Sequence, residues 1–203
     1  MPTGVAMRDA RAQLFDAAER VLLRDGAHGL TSRAVTTEAG CAKGVLHRHF
    51  ADFDAFLADL VRERIARIHA RHAALRAAAG TGGITANLTG ALTELFGPVA
   101  VAIVGLVIFR DELRARLRET TPRGVPLLAE AAAMIASYLA EERAFGRIAA
   151  DADVDTLALT LIGATHLLYA GQDGTSRDAT AMEPAVEKVV GTVMADVVQR
   201  RLL

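Results

Sequence analysis

The sequence holds one cysteine, Cys41, and no tryptophan. A single thiol excludes an internal disulfide and any paired CxxC zinc site, and it points to a reducing compartment. Aromatics make up only 4% of the chain, and lysine is confined to Lys43 and Lys188, so arginine carries the positive charge. The longest apolar run, 99–109, is too short to cross a bilayer, and the start MPTGVAMRDARAQLF has no signal-peptide core. The expectation is a cytoplasmic protein with no membrane segment. G-x-S-x-G and H-E-x-x-H do not occur, and the GTGG at 80–83 lacks the GK[ST] ending of a phosphate loop.

Apolar residues make up 52% of the 203 positions, enough for a sizeable core in one large domain or two small ones. Alanine is abundant and period-two alternation is rare, which favours an all-α chain. Leu14, Ala17, Ala18, Val21 and Leu22 recur at helical spacing, and Asp25-Gly26 stops that helix. Thr31 is a good N-cap for a short helix over 32–39, which Gly40 ends. A second short helix covers 42–48, and Asp52 caps a long one carrying Phe53, Phe56, Leu57, Leu60, Val61, Ile65 and Ile68. Further helices are expected over 85–96, 98–109, 110–119, 127–143, 153–169 and 183–201. The run 98–109 is read as a buried helix, because a lone strand would have no partner.

The polar chemistry concentrates in GCAKGVLHRHF, residues 40–50. Between Gly26 and Phe50 the fixed charges are Arg33, Lys43 and Arg48 against Glu38 alone, with His28, His47 and His49 able to add to them. A near-neutral total of -1 thus hides a basic face suited to an anionic partner such as a phosphate backbone. Two short helices joined at a glycine behind a longer support helix form a helix-turn-helix, whose second helix can enter the major groove. Leu46 and Phe50 lie four apart and face inward together, leaving Lys43, His47 and Arg48 outward. Gly44 carries no side chain and permits close approach to a duplex. An ordinary helix corner with solvated charges has the same topology.

Leu30-Thr31-Ser32-Arg33 followed by Ala39-Gly40-Cys41-Ala42-Lys43-Gly44-Val45-Leu46-His47-Arg48-His49-Phe50 resembles the DNA-binding signature of TetR-family transcriptional regulators. The usual family pattern is a threonine-led helix with a following arginine, then A-G-V-S-x-G-x-L-Y-x-H-F and a lysine–acid pair. The match runs from about Arg8 to Leu60. It implies a three-helix DNA-binding domain over 1–51 and a larger helical effector-binding and dimerisation domain over 52–203. Carried over by position, Arg33 reaches a base edge or nearby phosphate, and Lys43, Val45 and Arg48 lie on the recognition helix. Lysine or arginine best reads guanine, and valine a thymine methyl. Thr31, His47 and His49 are expected on phosphates, which position rather than specify; His49 could instead pack or cap the helix end. Three residues depart from the pattern: Ala42 replaces a capping serine, His47 a tyrosine, and Phe53 a lysine. They bear on affinity and operator choice more than on fold.

For the remainder, the resemblance implies a homodimer and a small-molecule effector. The last helix places Val186, Val189, Val190, Val193, Val197 and Leu202 on one stripe. The preceding helix carries Leu157, Leu161, Ala164, Leu167 and Leu168, with Gly163 small enough for close approach. Two such helices per subunit suit a four-helix interface, although both stripes could equally pack into their own core. Expected effector contacts are Ile65, His69, Leu106, Phe109, Met134, Tyr138 and His166, lining a mostly apolar pocket; each type serves equally in an ordinary core. No cofactor or metal is expected. His47 and His49 point in different directions, no fourth ligand joins them with Cys41, and His69 and His72 read as a solvated or pocket-lining pair. The expectation is a repressor that leaves a palindromic DNA operator when it binds a mostly apolar effector. The alternative is a helical enzyme that binds a small molecule without a recognisable catalytic motif.

Overall fold

A computed structural model describes residues 10–120, 124–171 and 179–198. Among them the chain forms ten helices and no strand, apart from one isolated bridge between Ile148 and Val198. The helices are α1 (Ala10–Gly29), α2 (Ser32–Glu38), α3 (Gly44–His49), α4 (Phe53–Ala77), α5 (Ile84–Leu95), α6 (Pro98–Phe109), α7 (Asp111–Arg118), α8 (Pro126–Ala144), α9 (Val154–Ala170) and α10 (Ala179–Met194). They group into two compact units. One takes Met1–Glu63 with Ala102–Pro122, and the other Arg64–Val101 with Arg123–Leu203.

In the first unit the expected apolar stripe of α1 is buried: Leu14, Phe15, Ala17, Ala18, Val21 and Leu22. The helical stretch breaks where glycine permits it, at Gly26 with φ 70°. Three phenylalanines from distant parts of the chain lock this core. Phe15 lies 5.8 Å from Phe50 and 5.5 Å from Phe56, and Phe50 meets Phe56 edge-on at 5.0 Å. Each buried ring contributes about 1.5–3 kcal/mol of transfer free energy, with about 0.5–1.5 more per well-oriented pair. Arg11 covers the cluster, its guanidinium 4.6 Å from the Phe50 centroid while it donates to Asp59 at 2.8 Å.

In the second unit α5 and α9 both pack on α10, and α8 packs on α9. Asp153 caps α9 by accepting from the Thr156 amide at 3.1 Å. Beneath the glycine-rich loop a polar chain threads the interior. Asn87 Nδ2 donates to the Tyr138 hydroxyl at 3.1 Å, which donates to Glu142 Oε1 at 2.6 Å. Glu142 is fully buried, and Arg147 balances it from 3.2 Å while donating to the Gly82 carbonyl at 2.6 Å. A buried carboxylate persists only when so paired.

Two expectations about the helices are corrected. The last helix ends at Met194 rather than at 201, because Val197 turns away and its carbonyl accepts from the Ala149 amide at 2.8 Å. Leu202 lies outside the described residues. The apolar helix α6 buries Ile103, Val104, Leu106 and Val107, but its end is exposed, Phe109 most of all.

Candidate nucleic-acid interface

The turn between α2 and α3 is built by hydrogen bonds that only a left-handed residue allows. Gly40, at φ 64°, sends its amide to the Thr37 carbonyl at 3.1 Å, and the Cys41 amide reaches the Thr36 carbonyl at 3.0 Å. This pair of bonds is the Schellman ending of a helix. At the other end of α2 the Thr31 hydroxyl accepts from the Ala34 amide at 3.1 Å. Thr31 is therefore the N-cap, and its hydroxyl proton remains available to a phosphate. α3 begins at Gly44 with Lys43 as N-cap and no side-chain cap, as Ala42 in place of serine implies.

Leu46 and Phe50 are buried, which leaves Thr31, Arg33, Lys43, Gly44, His47, Arg48 and His49 exposed. Val45 corrects the sequence expectation. It is only 6% exposed, packed inward one turn before His49, so its methyls face the domain's own core and do not reach for a thymine. The first residue of a six-residue helix is Gly44, so Val45 falls on the inner face with Leu46. Cys41 is half-buried, and burial pushes its thiol up, away from the reactive thiolate form.

The electrostatics of this face rest on residues outside it. Glu38, the one acid between Gly26 and Phe50, accepts from Arg20 Nε at 2.8 Å and from Arg24 Nη1 at 2.7 Å. Those bonds, Arg20's first, hold its carboxyl below the usual range. Glu38 is thus neutralised from α1, and no acid offsets Arg33, Lys43 and Arg48 within the stretch. Arg20 and Arg24 lie four apart and share a helix face, so both reach the same carboxylate.

Phe53 has a specific environment as well. It stacks on Phe56 at 5.6 Å, and the Arg110 guanidinium lies 5.4 Å over its ring. Arg110 also sits 3.8 Å from Asp54. A ring here gains a cation–π partner that a lysine would have repelled.

The expected effector residues are divided between the two units. Leu106 and Phe109 belong to the first unit and the others to the second. Phe109 is 81% exposed, a surface ring rather than a pocket wall. Tyr138 is fully buried with its hydroxyl committed to Asn87 and Glu142, so it is structural. Both corrections have one origin: periodicity marks an apolar face but not what covers it. His69 is exposed and lies 2.9 Å from Glu130. Ile65 is half-buried, and Met134 lines a cleft of about 310 Å³ with Arg71, Leu75, Asn87 and Gly90. His166 is half-buried with its ring against Phe96.

A capped helix, a Schellman turn and a short exposed basic helix define a helix-turn-helix DNA-binding domain. Residues 14–60 match the family model for bacterial regulatory proteins, tetR family. This domain belongs to the tetR family, and the chain as a whole has the fold of TetR-family transcriptional regulators. A TetR-family regulator from Mesorhizobium loti superposes with TM-score 0.69 at 15% identity, covering 97% of this chain and 100% of that one. FadR from Bacillus subtilis, solved with stearoyl-CoA, gives TM-score 0.68 at 18% identity over 88% and 96% of the two chains. The multidrug binding protein EbrR, complexed with imidazole, gives 0.56 at 25% identity over 91% and 94%. No curated protein matches the sequence. Among the described residues no single helix is long and apolar enough to cross a membrane.

Proposed function

We propose that this chain is a homodimeric repressor that leaves a palindromic operator when it binds a small, mostly apolar effector. The observation that carries the DNA half is the exposed set Arg33, Lys43 and Arg48, whose one acidic neighbour, Glu38, is consumed by Arg20 and Arg24. A two-fold dimer doubles those contacts on a palindromic site. We assign the DNA-binding role to residues 1–51 and the effector and dimer roles to residues 52–203, a division by role that differs from the two compact units.

The dimer surface we assign differs from the valine stripe of α10. Val186 and Val190 are fully buried within their own unit. On α9 an apolar face points outward, where Leu159 is 66% and Leu167 72% exposed, with Gly163 between them. These three positions share one helix face, and nothing lies within 4 Å of where a Gly163 side chain would stand. We take this exposed apolar face as the surface that a second copy covers.

The family and its solved neighbours are regulators rather than enzymes. FadR's stearoyl-CoA and EbrR's description as a multidrug binding protein support a mostly apolar effector here. The test is fluorescence anisotropy on selected operator duplexes across salt. Binding should fall steeply with salt and collapse in the Arg33, Lys43 and Arg48 alanine variants. Salt-independent binding, or none to any duplex, favours the enzyme alternative.

A further inference from the structure

Gly90 stands in the middle of α5, where glycine weakens a helix relative to alanine. Its φ is not positive, and nothing lies within 4 Å of where its side chain would stand. Neither a turn nor a close approach therefore requires it. The missing side chain leaves room instead, because Gly90 lines the cleft of about 310 Å³ that also holds Met134. The rest of that wall is small as well. Ala74 and Ala78 lie four apart on α4, and Ala86 and Gly90 four apart on α5, so each pair shares a helix face. The buried side chains of Leu75 and Met134 complete an apolar lining. A cavity of about 150 Å³ holds one benzene ring, so the cleft has room for a small apolar frame.

One end of the cleft is charged. Arg71 lines it, and together with Arg64 and Arg67 also lines an adjoining cavity of about 160 Å³. The three arginines are spaced three and four apart, so they follow one face of α4. Against three guanidiniums the two linings hold one carboxylate, that of Glu94. The first turn of α6 lies in the second lining, and the amide end of a helix favours negative charge. Arg71 Nη1 donates to the Glu94 carbonyl at 2.9 Å, which fixes the guanidinium where the two linings meet. Its Nε lies 3.4 Å from the Glu94 carboxylate, a side chain 65% exposed. An ion pair so exposed contributes little, and the backbone bond holds Arg71 without it. The Glu94 carboxylate is thus a replaceable occupant of the Arg71 edge, and its own chemistry names what can replace it.

Resting on the effector-responsive reading above, we infer that the cleft between α4 and α5 binds a small aliphatic carboxylate, with its acid group on Arg71 and its chain along Ala74, Ala78, Ala86 and Gly90. With Nη1 held by the backbone, Nε and Nη2 present the edge that grips a carboxylate in two parallel bonds. An alcohol of the same length leaves Arg71 with Glu94 and gains only the contact of its chain. An amine of the same length meets three guanidiniums of its own sign.

The experiment titrates the full-length protein with octanoate, 1-octanol and octylamine, three probes of one chain and different heads. Calorimetry reads affinity, and the Met134 methyl resonance reads location. Octanoate should bind saturably, shift the Met134 resonance, and bind at least tenfold more tightly than the alcohol or the amine. Arg71→Gln should weaken octanoate at least tenfold, whereas Glu94→Gln, which removes the competing carboxylate, should strengthen it at least threefold. Gly90→Leu should fill the cleft and weaken octanoate at least tenfold without lowering Tm, because leucine suits a helix better than glycine. Failure of octanoate to bind overturns the site. So does equal binding of the alcohol, a weakened octanoate complex in Glu94→Gln, or unaltered binding in both Arg71→Gln and Gly90→Leu. Operator affinity measured in the same titration separates the two readings. Octanoate bound at Met134 with the operator complex unmoved leaves the site standing and removes its regulatory role. An operator complex released by another compound, with octanoate unbound, overturns the site and leaves the effector-responsive reading standing.

Discussion

The Asp52 carboxylate divides its two oxygens between two tasks. Oδ1 accepts from the Ala55 amide at 2.7 Å and caps α4, while Oδ2 accepts from Arg116 Nη2 of α7 at 2.6 Å. One side chain thus starts the helix that follows the DNA-binding segment and joins it to α7 in the same unit. The Ala55 bond and then Arg116 hold the Asp52 carboxyl below its ordinary value of 3.8. A depressed carboxylate contributes stability above the unfolded-state pKa and loses it as pH falls through the folded value. Asp52→Asn keeps an acceptor for Ala55 and loses the charge. Its Tm should lie below wild type at pH 7, and the gap should close on acidification below about pH 4. Circular-dichroism melts at a series of pH values check this, and a gap that persists unchanged into acid would show that charge is not the cause.

The DNA face yields a prediction about salt. Each of Arg33, Lys43 and Arg48 that touches a phosphate releases about one counterion, so its alanine variant should flatten the slope of log K against log salt by about 0.9. A residue that reads guanine should also relax preference at one base position, at a cost of about 1–3 kcal/mol. Val45→Ala, by contrast, should lower Tm and leave sequence preference unchanged, because Val45 is packed inward. Anisotropy titrations on single-base operator variants separate the three behaviours. A Val45→Ala protein with altered preference and unaltered Tm would return that valine to the groove.

What the sequence made legible follows from what is local. Thr31 as a cap, Gly40 as a turn and Leu46 with Phe50 as an inner pair each depend on neighbours within a few residues, and the structure has them there. Val45 was misplaced because helical spacing in a six-residue helix leaves the rotation of its first turn open. The partners of Glu38 and Phe53 lie 18 and 57 residues away in sequence, and no periodicity reports on such pairs. The α10 valines were read as a dimer face because a stripe looks the same whether its own core or another subunit covers it.

The turn itself gives a stability prediction. Gly40 is at φ 64°, where a Cβ strains the backbone, although no atom lies within 4 Å of where that Cβ would sit. Gly40→Ala should therefore cost about 1–2 kcal/mol from backbone strain alone. Gly40→Asn should recover part of it, since asparagine tolerates the left-handed region better. Urea titration of the three proteins measures both. Equal midpoints for alanine and glycine would mean that the turn relaxes to another conformation.

The last prediction concerns the dimer. Leu167 is exposed, so Leu167→Asp should fold normally yet run as a monomer, whereas Val190→Asp would bury a carboxylate in its own core and unfold the chain. In a two-fold dimer the same patch meets itself. If the axis passes near Gly163, residue 159 of one subunit faces residue 167 of the other, four positions on either side of the axis. Leu159→Arg and Leu167→Asp should then each be monomeric alone, because every homodimer would bring a charge against leucine. Mixed together they should form a heterodimer, with one Arg–Asp contact and one Leu–Leu contact. Light scattering of each protein and of the mixture tests this. Monomers that fail to rescue one another would keep α9 in the interface but move the axis away from Gly163. A Leu167→Asp protein that remains dimeric would remove α9 from the interface.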